Sequence, residues 1–395
     1  MKTNQLKSKR ELQELLRRGV EEIIDKANLE NKLRSGKTLR VKLGIDPTSP
    51  NIHLGRSIPL LKLKDFQNLG HKIVFIIGDF TGVIGDTSDK ESERPMLSFD
   101  IVQDNLKKYI QQAGKIIDIT KTEVRYNSEW LGKLDYSEIG HQADIFSLNE
   151  FISRENIRKR LDRGKRVSLR ELLYPLMQGY DSVCVKADVE VGGTDQRFNL
   201  LAGRDLQKFY GQEPQDIITN PLIEGLDGRK MSSSFGNTVN LLDEPNDMFG
   251  KIMSLKDELI IKYFTLLTRI DMSLVRSYES DLKKGVNPRD VKLKLAFEIV
   301  RMYHSEEVAQ KAQDYFVKTF TEKKIPSEIP QFQPSSYNIV SILVESKLAA
   351  SKSDAKRVLK QKGVKINGEI IEEENYVVSR GSVLQKGKRN FIEII

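Results

Sequence analysis

Two kinds of apolar pattern alternate near the start of the chain. "RVKLGI" (residues 40–45) and "KIVFIIGDF" (72–80) are short runs, and the second is almost unbroken, as in a strand buried on both faces. Between them, "SIPLLKLKDFQNLG" (57–70) places Leu60, Leu61, Leu63 and Phe66 for the inner face of a helix, with Gly70 as its stop. Strand, helix, strand at this spacing is a βαβ unit and predicts a parallel sheet. Further strands are expected near "TEVRYN" and "DVEVGG". Ahead of the unit, Leu12, Leu15, Leu16, Val20, Ile23 and Ile24 fall at helical spacing. From 245 to 322 the pattern is helical throughout, as in "DELIIKYFTLLTRI". Then "KKIPSEIPQFQPSS" spaces Pro326, Pro330 and Pro334 through polar residues and reads as a linker over 323–336. Residues 337–395 suffice for one small module.

Length agrees with this division, since 395 residues suit two or three domains better than one core. No run of about 18 apolar residues occurs, so no membrane span is expected. The N-terminus lacks the apolar centre of a signal peptide. Cys184 is the only cysteine, which excludes disulfides and thiolate metal clusters and suits a reducing cytoplasm. No histidine pair at ligand spacing suggests a zinc site, and His71, His141 and His304 read as structural or exposed. A net charge of +8 suits a polyanionic partner, though a lysine-rich composition can arise without one.

Candidate chemistry begins in "DPTSPNIHLGRS" (46–57), where the first strand turns into its helix. Ligands of open parallel sheets sit beyond the carboxyl ends of the strands, and a helix N-terminus there favours phosphate. Thr48 and His53 offer short donors, and Gly55 lets a flat ring approach the backbone. A plain turn with a helix cap would read much the same. A second candidate is "GLDGRKMSSSFGN" (225–237), with glycines at both sides, one lysine and three serines. A mobile loop of that kind can close Lys230 over a polyphosphate; an ordinary surface loop is the plain alternative. In "YPLMQGYDS", Tyr174, Gln178 and Asp181 are spaced by four and three residues and share one helix face. A buried polar stripe is costly without partners, and a ligand carrying an ammonium and a phenol would supply them.

The pair "HLG" and "KMSSS" resembles the two signature motifs of class I aminoacyl-tRNA synthetases. With "KLGIDPTSPNIHLG", "IIGDFTGVIGD", "YPLMQGYDS" and "VGGTDQRFN" in order, the chain from Lys42 onward is similar to the bacterial tyrosyl-tRNA synthetases. The resemblance implies a Rossmann-like α/β catalytic domain over 1–244, with an N-terminal helix and an inserted dimer-contact segment. A helical anticodon-side domain (245–322), the linker (323–336) and an α+β RNA-binding module similar to ribosomal protein S-four (337–395) would follow. It implies ligation of L-tyrosine to tRNA(Tyr) through a tyrosyl-adenylate, with ATP and its Mg2+ as substrate, no protein-bound metal, a homodimer, and no membrane. Thr48, His53 and Lys230 would act on the departing phosphates. Gly44, Asp46, Gly55, Lys230 and Ser232 would hold ATP. Tyr174, Gln178 and Asp86 would bind the tyrosine ammonium, Asp181 its hydroxyl, and Asp195 and Gln196 the adenylate ribose and the tyrosine side.

Departures from the family pattern are also legible. Arg56 stands for the second histidine of the first motif, Ser233 for the second lysine of the second, and Lys42 where many members have a tyrosine near the substrate hydroxyl. "GDTSDK" (85–90) lacks the usual proline and glycine. Lys42 beside Asp181 would form a charged pair and join the substrate site. In the tail, Lys352, Lys356, Arg357, Lys360, Lys362 and Lys365 are opposed locally only by Asp354 and would bind RNA phosphates. Other readings remain: a tryptophanyl synthetase or small nucleotidylyltransferase of the same architecture, or an RNA chaperone without catalysis. Asp181 speaks against an indole substrate and the basic tail against a small-molecule transferase, whereas Arg56 and Ser233 are all that favours the chaperone.

Overall fold

The computed structural model describes residues 9–86, 96–320, 329–387 and 390–395. Residues 323–328 of the expected linker, with Pro326, and residues 87–90 of "GDTSDK" lie outside them. Two compact units emerge, one of residues 1–243 and 254–295, the other of 244–253 and 296–395. The helical stretch expected as one domain over 245–322 is thus divided between them.

In the first unit the order is α1 (Lys9–Leu15), β1 (Glu22–Ile24), α2 (Lys26–Arg34), β2 (Arg40–Ile45), α3 (Leu54–Asn68), β3 (Lys72–Ile77), α4 (Thr81–Ile84) and α5 (Phe99–Ala113). Then come β4 (Thr122–Tyr126), α6 (Ser128–Leu131), α7 (Tyr136–Asp144), α8 (Leu148–Ile152), α9 (Glu155–Asp162), α10 (Leu169–Val185), β5 (Val189–Gly193), α11 (Arg197–Phe209) and β6 (Asp216–Asn220). The six strands form one sheet in the order β1-β6-β5-β2-β3-β4. All neighbours are parallel except β1 and β6. The expected strand at 40–45 is β2 to the residue, and Ile73–Ile77 of β3 are fully buried, as an unbroken apolar run requires.

The N-terminal helix is shorter than its spacing predicts. Gly19 takes a φ of +63°, and Ile23 and Ile24 then pair with Ile218 and Ile217 as an edge strand. Over so few residues, helical and alternating apolar patterns overlap, and the open edge of the sheet decides. α10 has a better-marked start: Ser168 and Glu171 form a capping box. Its close approach to α11 depends on Gly179, where a Cβ would lie 2.7 Å from a Leu206 methyl and 3.1 Å from the Ala202 carbonyl carbon.

Residues 254–295 contribute α13 (Ile260–Leu267), α14 (Met272–Lys283) and the first half of α15 (Pro288–Tyr303), while α12 (Pro245–Met253) and α16 (Glu306–Phe320) pack together in the second unit. There Phe249 and Phe316 stack with ring centres 5.5 Å apart. The chain ends in β7 (Gln331–Phe332), α17 (Ile339–Glu345), α18 (Lys352–Lys360), β8 (Val364–Ile366), β9 (Glu369–Ile370), β10 (Val383–Lys386) and β11 (Asn390–Ile394). These strands make a second sheet, β7-β11-β10-β8-β9, over a core that includes Ile339, Leu343, Leu359, Leu384 and Ile394. β7 runs parallel to β11, so "QF" of the expected linker is structured.

Candidate active site

From β2 the first unit's chain steps outward to β3 and β4, then returns to β5 on the other side of β2. The carboxyl ends of β2 and β5 therefore flank the point where the strand order reverses, the expected ligand position in an open α/β sheet. A cleft of about 280 Å³ lies there. It is lined by Gly44, Asp46, Thr48, His53, Gly55, Asp86, Tyr174, Gln178, Asp181, Asp195, Gln196, Lys230 and Ser232, so one concavity gathers these residues from across the sequence. A Cβ on Gly44 would meet nothing within 4 Å, since that backbone is part of the cleft wall.

The two motifs are joined physically. His53 is the N-cap residue of α3 and bridges Asn240 in antiparallel fashion, and Leu54 N–H donates to the Val239 carbonyl at 2.8 Å. The Gly55 amide donates to the Met231 sulfur at 3.2 Å, and Met231 is buried. The lysine-bearing loop is less free than its composition implies. Asn237 gathers it: its amide nitrogen donates to Asp227 at 2.7 Å and the Lys230 carbonyl at 3.1 Å, while its oxygen accepts from the Ser232 amide at 2.9 Å. Ser232 caps the short turn at Ser233–Phe235. Lys230 itself rests on Asp195, with 2.8 Å between ammonium and carboxylate and 31% of its side chain exposed. Arg56 reaches the Tyr109 hydroxyl and donates to Thr48 Oγ1 at 3.2 Å, so it braces Thr48 at the cleft wall.

Opposite, the stripe of α10 meets a continuous polar chain. Tyr174 donates its hydroxyl hydrogen to Asp46 Oδ2 at 2.8 Å, and Thr81 donates to Asp46 Oδ1 at 2.7 Å. The Asn127 amide donates to Thr81 Oγ1 at 2.8 Å and to Asp181 Oδ2 at 3.4 Å, and the Trp130 indole N–H donates to Asp181 Oδ1 at 2.8 Å. Buried polar groups are tolerable when bonded in this way. Burial raises the Asp181 carboxyl to about 7, opposed by the charge of Lys42 and by the Trp130 and Asn127 hydrogen bonds, with Glu190 pushing upward. Burial with the nearby carboxylates of Asp46 and Asp86 holds the Tyr174 phenol well above its ordinary value. Gln196 Nε2 donates to Asp86 at 2.6 Å, and Asn199 Nδ2 donates to both Gln178 and Gln196.

Two expectations need correction. Lys42 is fully buried, does not line the cleft, and pairs with Glu190 at 2.8 Å rather than with Asp181. Its strand register decides this, because Lys42 and Glu190 stand directly opposite on β2 and β5. The tail lysines are opposed by more than Asp354: Glu374 lies 2.6 Å from Lys356 and 3.7 Å from Lys360, and Glu372 lies 3.3 Å from Lys362. Among the described residues Lys352 and Lys365 carry no ion pair. Sequence spacing gives no sign of Thr81, Asn127, Trp130, Asn199 and Asn237; each is a single polar residue whose role depends on distant partners. Among the described residues no group of three or more His, Cys, Asp or Glu could hold a metal ion, and no helix is long and apolar enough to cross a membrane.

The family of class I tRNA synthetases for tryptophan and tyrosine matches residues 34–321, and a tyrosine–tRNA ligase C-terminal domain matches 319–394. A tyrosine–tRNA ligase of Thermotoga maritima is 48% identical over 385 residues, 96% of each chain. That of Carboxydothermus hydrogenoformans is 45% identical over 98% of each. Likeness in fold extends to a truncated mitochondrial tyrosyl-tRNA synthetase of Aspergillus nidulans (TM-score 0.68, 19% identity, 78% of this chain and 94% of that one). It extends also to an Archaeoglobus fulgidus tyrosyl-tRNA synthetase complexed with L-tyrosine (0.62, 23%, 77% and 99%). With both halves of the sequence matched and near-full-length identity approaching one half, the chain belongs to the bacterial tyrosine–tRNA ligases of the class I synthetases.

Proposed function

We propose that the cleft at the β2/β5 switch activates L-tyrosine with ATP before transfer to tRNA(Tyr). A tyrosine carboxylate oxygen attacks the α-phosphorus, the bond to the bridging oxygen breaks, and pyrophosphate leaves with that electron pair. The tRNA terminal ribose hydroxyl then attacks the tyrosyl carbonyl and AMP departs. Little covalent help is needed; positioning and charge carry the step. Thr48 and His53 contact the leaving phosphates, and Lys230 exchanges Asp195 for them. Gly44, Asp46, Gly55 and Ser232 form the nucleotide floor. Asp195 and Gln196 hold the adenylate ribose and the tyrosine side. Asp86, Tyr174 and Gln178 take the tyrosine ammonium and Asp181 accepts from its hydroxyl. Magnesium enters as the counter-ion of ATP. The observation that carries this reading is the meeting of Lys230 and the α10 stripe in one cleft. Tyrosine-dependent exchange of pyrophosphate into ATP tests it, and exchange with another amino acid in preference to tyrosine would refute it.

A pH dependence follows. An ionised Asp181 has acceptor capacity left for a phenol after Trp130 and Asn127 have donated; protonation removes some of it. Because its carboxyl is raised to about 7, kcat/KM for tyrosine falls as pH drops through about 7, while that for phenylalanine lacks this limb. Exchange measured from pH 5.5 to 8.5 with both amino acids checks this; parallel profiles would remove the assignment.

The assignment extends to the rest of the chain. Residues 1–244 carry catalysis, 245–322 face the anticodon side of the tRNA, and 337–395 bind RNA. Replacing Lys352 and Lys365 together by alanine weakens tRNA binding and reduces its salt dependence, by a slope of about 0.7–0.9 for each phosphate no longer neutralised. Adenylation is unchanged; filter binding across a salt series reads the first and pyrophosphate exchange the second. A homodimer, joined through the 140–180 region, would cover Leu148 (63% exposed) and Leu169 (76%). The lone free thiol, Cys184, accords with a cytoplasmic setting.

A further inference from the structure

Lys42 and Glu190 are 0% and 1% exposed in their side chains. Besides Glu190, Lys42 donates to the Gln178 carbonyl at 2.9 Å and Ser182 Oγ at 2.7 Å, which occupies all three ammonium hydrogens. Glu190 accepts from Gln178 Nε2 at 3.3 Å, from Ser182 Oγ at 3.0 Å and from the Gln215 amide. Neither residue lines the cleft, yet both grip the stretch of α10 from Gln178 to Ser182 that holds Asp181. Stability alone does not account for them, since a well-packed apolar pair often serves as well as a buried ion pair.

We propose that the Lys42–Glu190 pair is a positioning unit for tyrosine: it fixes Gln178 in the cleft and sets the charge balance around Asp181, so that selectivity for the substrate hydroxyl depends on two residues that never touch it. The inference rests on Asp181 as the hydroxyl's acceptor. The charged and titratable groups facing Asp181 are Lys42 from β2, Glu190 from β5, and Tyr174 and Cys184 along its own helix, with Arg125 stacked 5.3 Å from the centre of the Trp130 ring. Lys42 favours the ionised carboxylate there and Glu190 opposes it, so removing one has the opposite effect to removing the other. In a Glu190→Gln protein Asp181 becomes the remaining counter-charge of Lys42.

The test uses full-length Lys42→Met, Glu190→Gln and the double variant, with pyrophosphate exchange measured against pH for tyrosine and for phenylalanine. The acid limb of the tyrosine profile moves up by about one pH unit in Lys42→Met, moves down in Glu190→Gln, and returns toward the wild-type position in the double variant. KM for tyrosine changes more than kcat in each. Glu190→Gln keeps the shape and one acceptor oxygen while removing the charge, so its downward shift carries the test should Lys42→Met fail to fold. A wild-type limb that the folded variants leave in place, or move in one common direction, overturns the proposal alone. A limb absent from the wild type removes the Asp181 reading and the proposal with it.

Discussion

Alanine at position 230 lowers the rate of tyrosyl-adenylate formation by about 100-fold or more, and leaves tyrosine affinity within a few-fold of wild type. The magnitude is that of removing one preorganised charge donor from a transition state. Ser233 stands where a second lysine would share the load, so Lys230 acts with less local support. At rest the ammonium sits 2.8 Å from Asp195, and the groups we assign to the tyrosine ammonium and hydroxyl are Asp86, Tyr174, Gln178 and Asp181 rather than Lys230. Ground-state tyrosine binding therefore has little to lose, whereas negative charge gathering on the leaving pyrophosphate loses its counter-charge. The vacated Asp195 is partly exposed, and water can solvate it. Single-turnover adenylation by rapid quench, with tyrosine affinity from equilibrium dialysis, separates the two effects. A rate near wild type would mean that another group supplies the charge.

Asp181→Ala narrows the preference for tyrosine over phenylalanine at least tenfold. A hydrogen bond to a charged group is worth about 1.5–3 kcal/mol, and phenylalanine leaves the buried carboxylate one donor short. The substitution also strips Trp130 and Asn127 of their shared acceptor, so the variant loses stability as well. Taking the ratio of kcat/KM for the two amino acids within one protein cancels that loss. Asp181→Asn, which keeps shape but brings a donor, distinguishes charge from packing. An unchanged ratio in both variants would place the hydroxyl's partner elsewhere in the cleft.

Much of the site could be read from the chain because its parts are local. Residues 40–45 and 189–193 carry strand patterns, and the spacing from Tyr174 to Asp181 fixes a helix face whatever surrounds it. The resemblance then supplied roles that spacing alone could not. What stayed hidden depends on register and on distant partners. Lys42 points to Glu190 because β5 returns beside β2, and no local pattern announces that pairing. Glu372 and Glu374 face the tail lysines only once the chain has folded back past β8 and β9. Ile23 and Ile24 fit a helix or a strand equally well until the edge of β6 is there to receive them.

Trp130 is the chain's one tryptophan, and its indole N–H ends on the carboxylate that we assign to the substrate hydroxyl. The protein thus carries its own optical reporter hydrogen-bonded to a residue of the cleft wall. Red-edge excitation isolates this one emitter from the twelve tyrosines, and from tyrosine added as ligand. Its emission responds to charge and polarity beside the ring, so arrival of a phenol and loss of a proton at Asp181 give separate spectral signatures. Occupancy can then be followed in real time, with no label and no turnover, even in variants that no longer react.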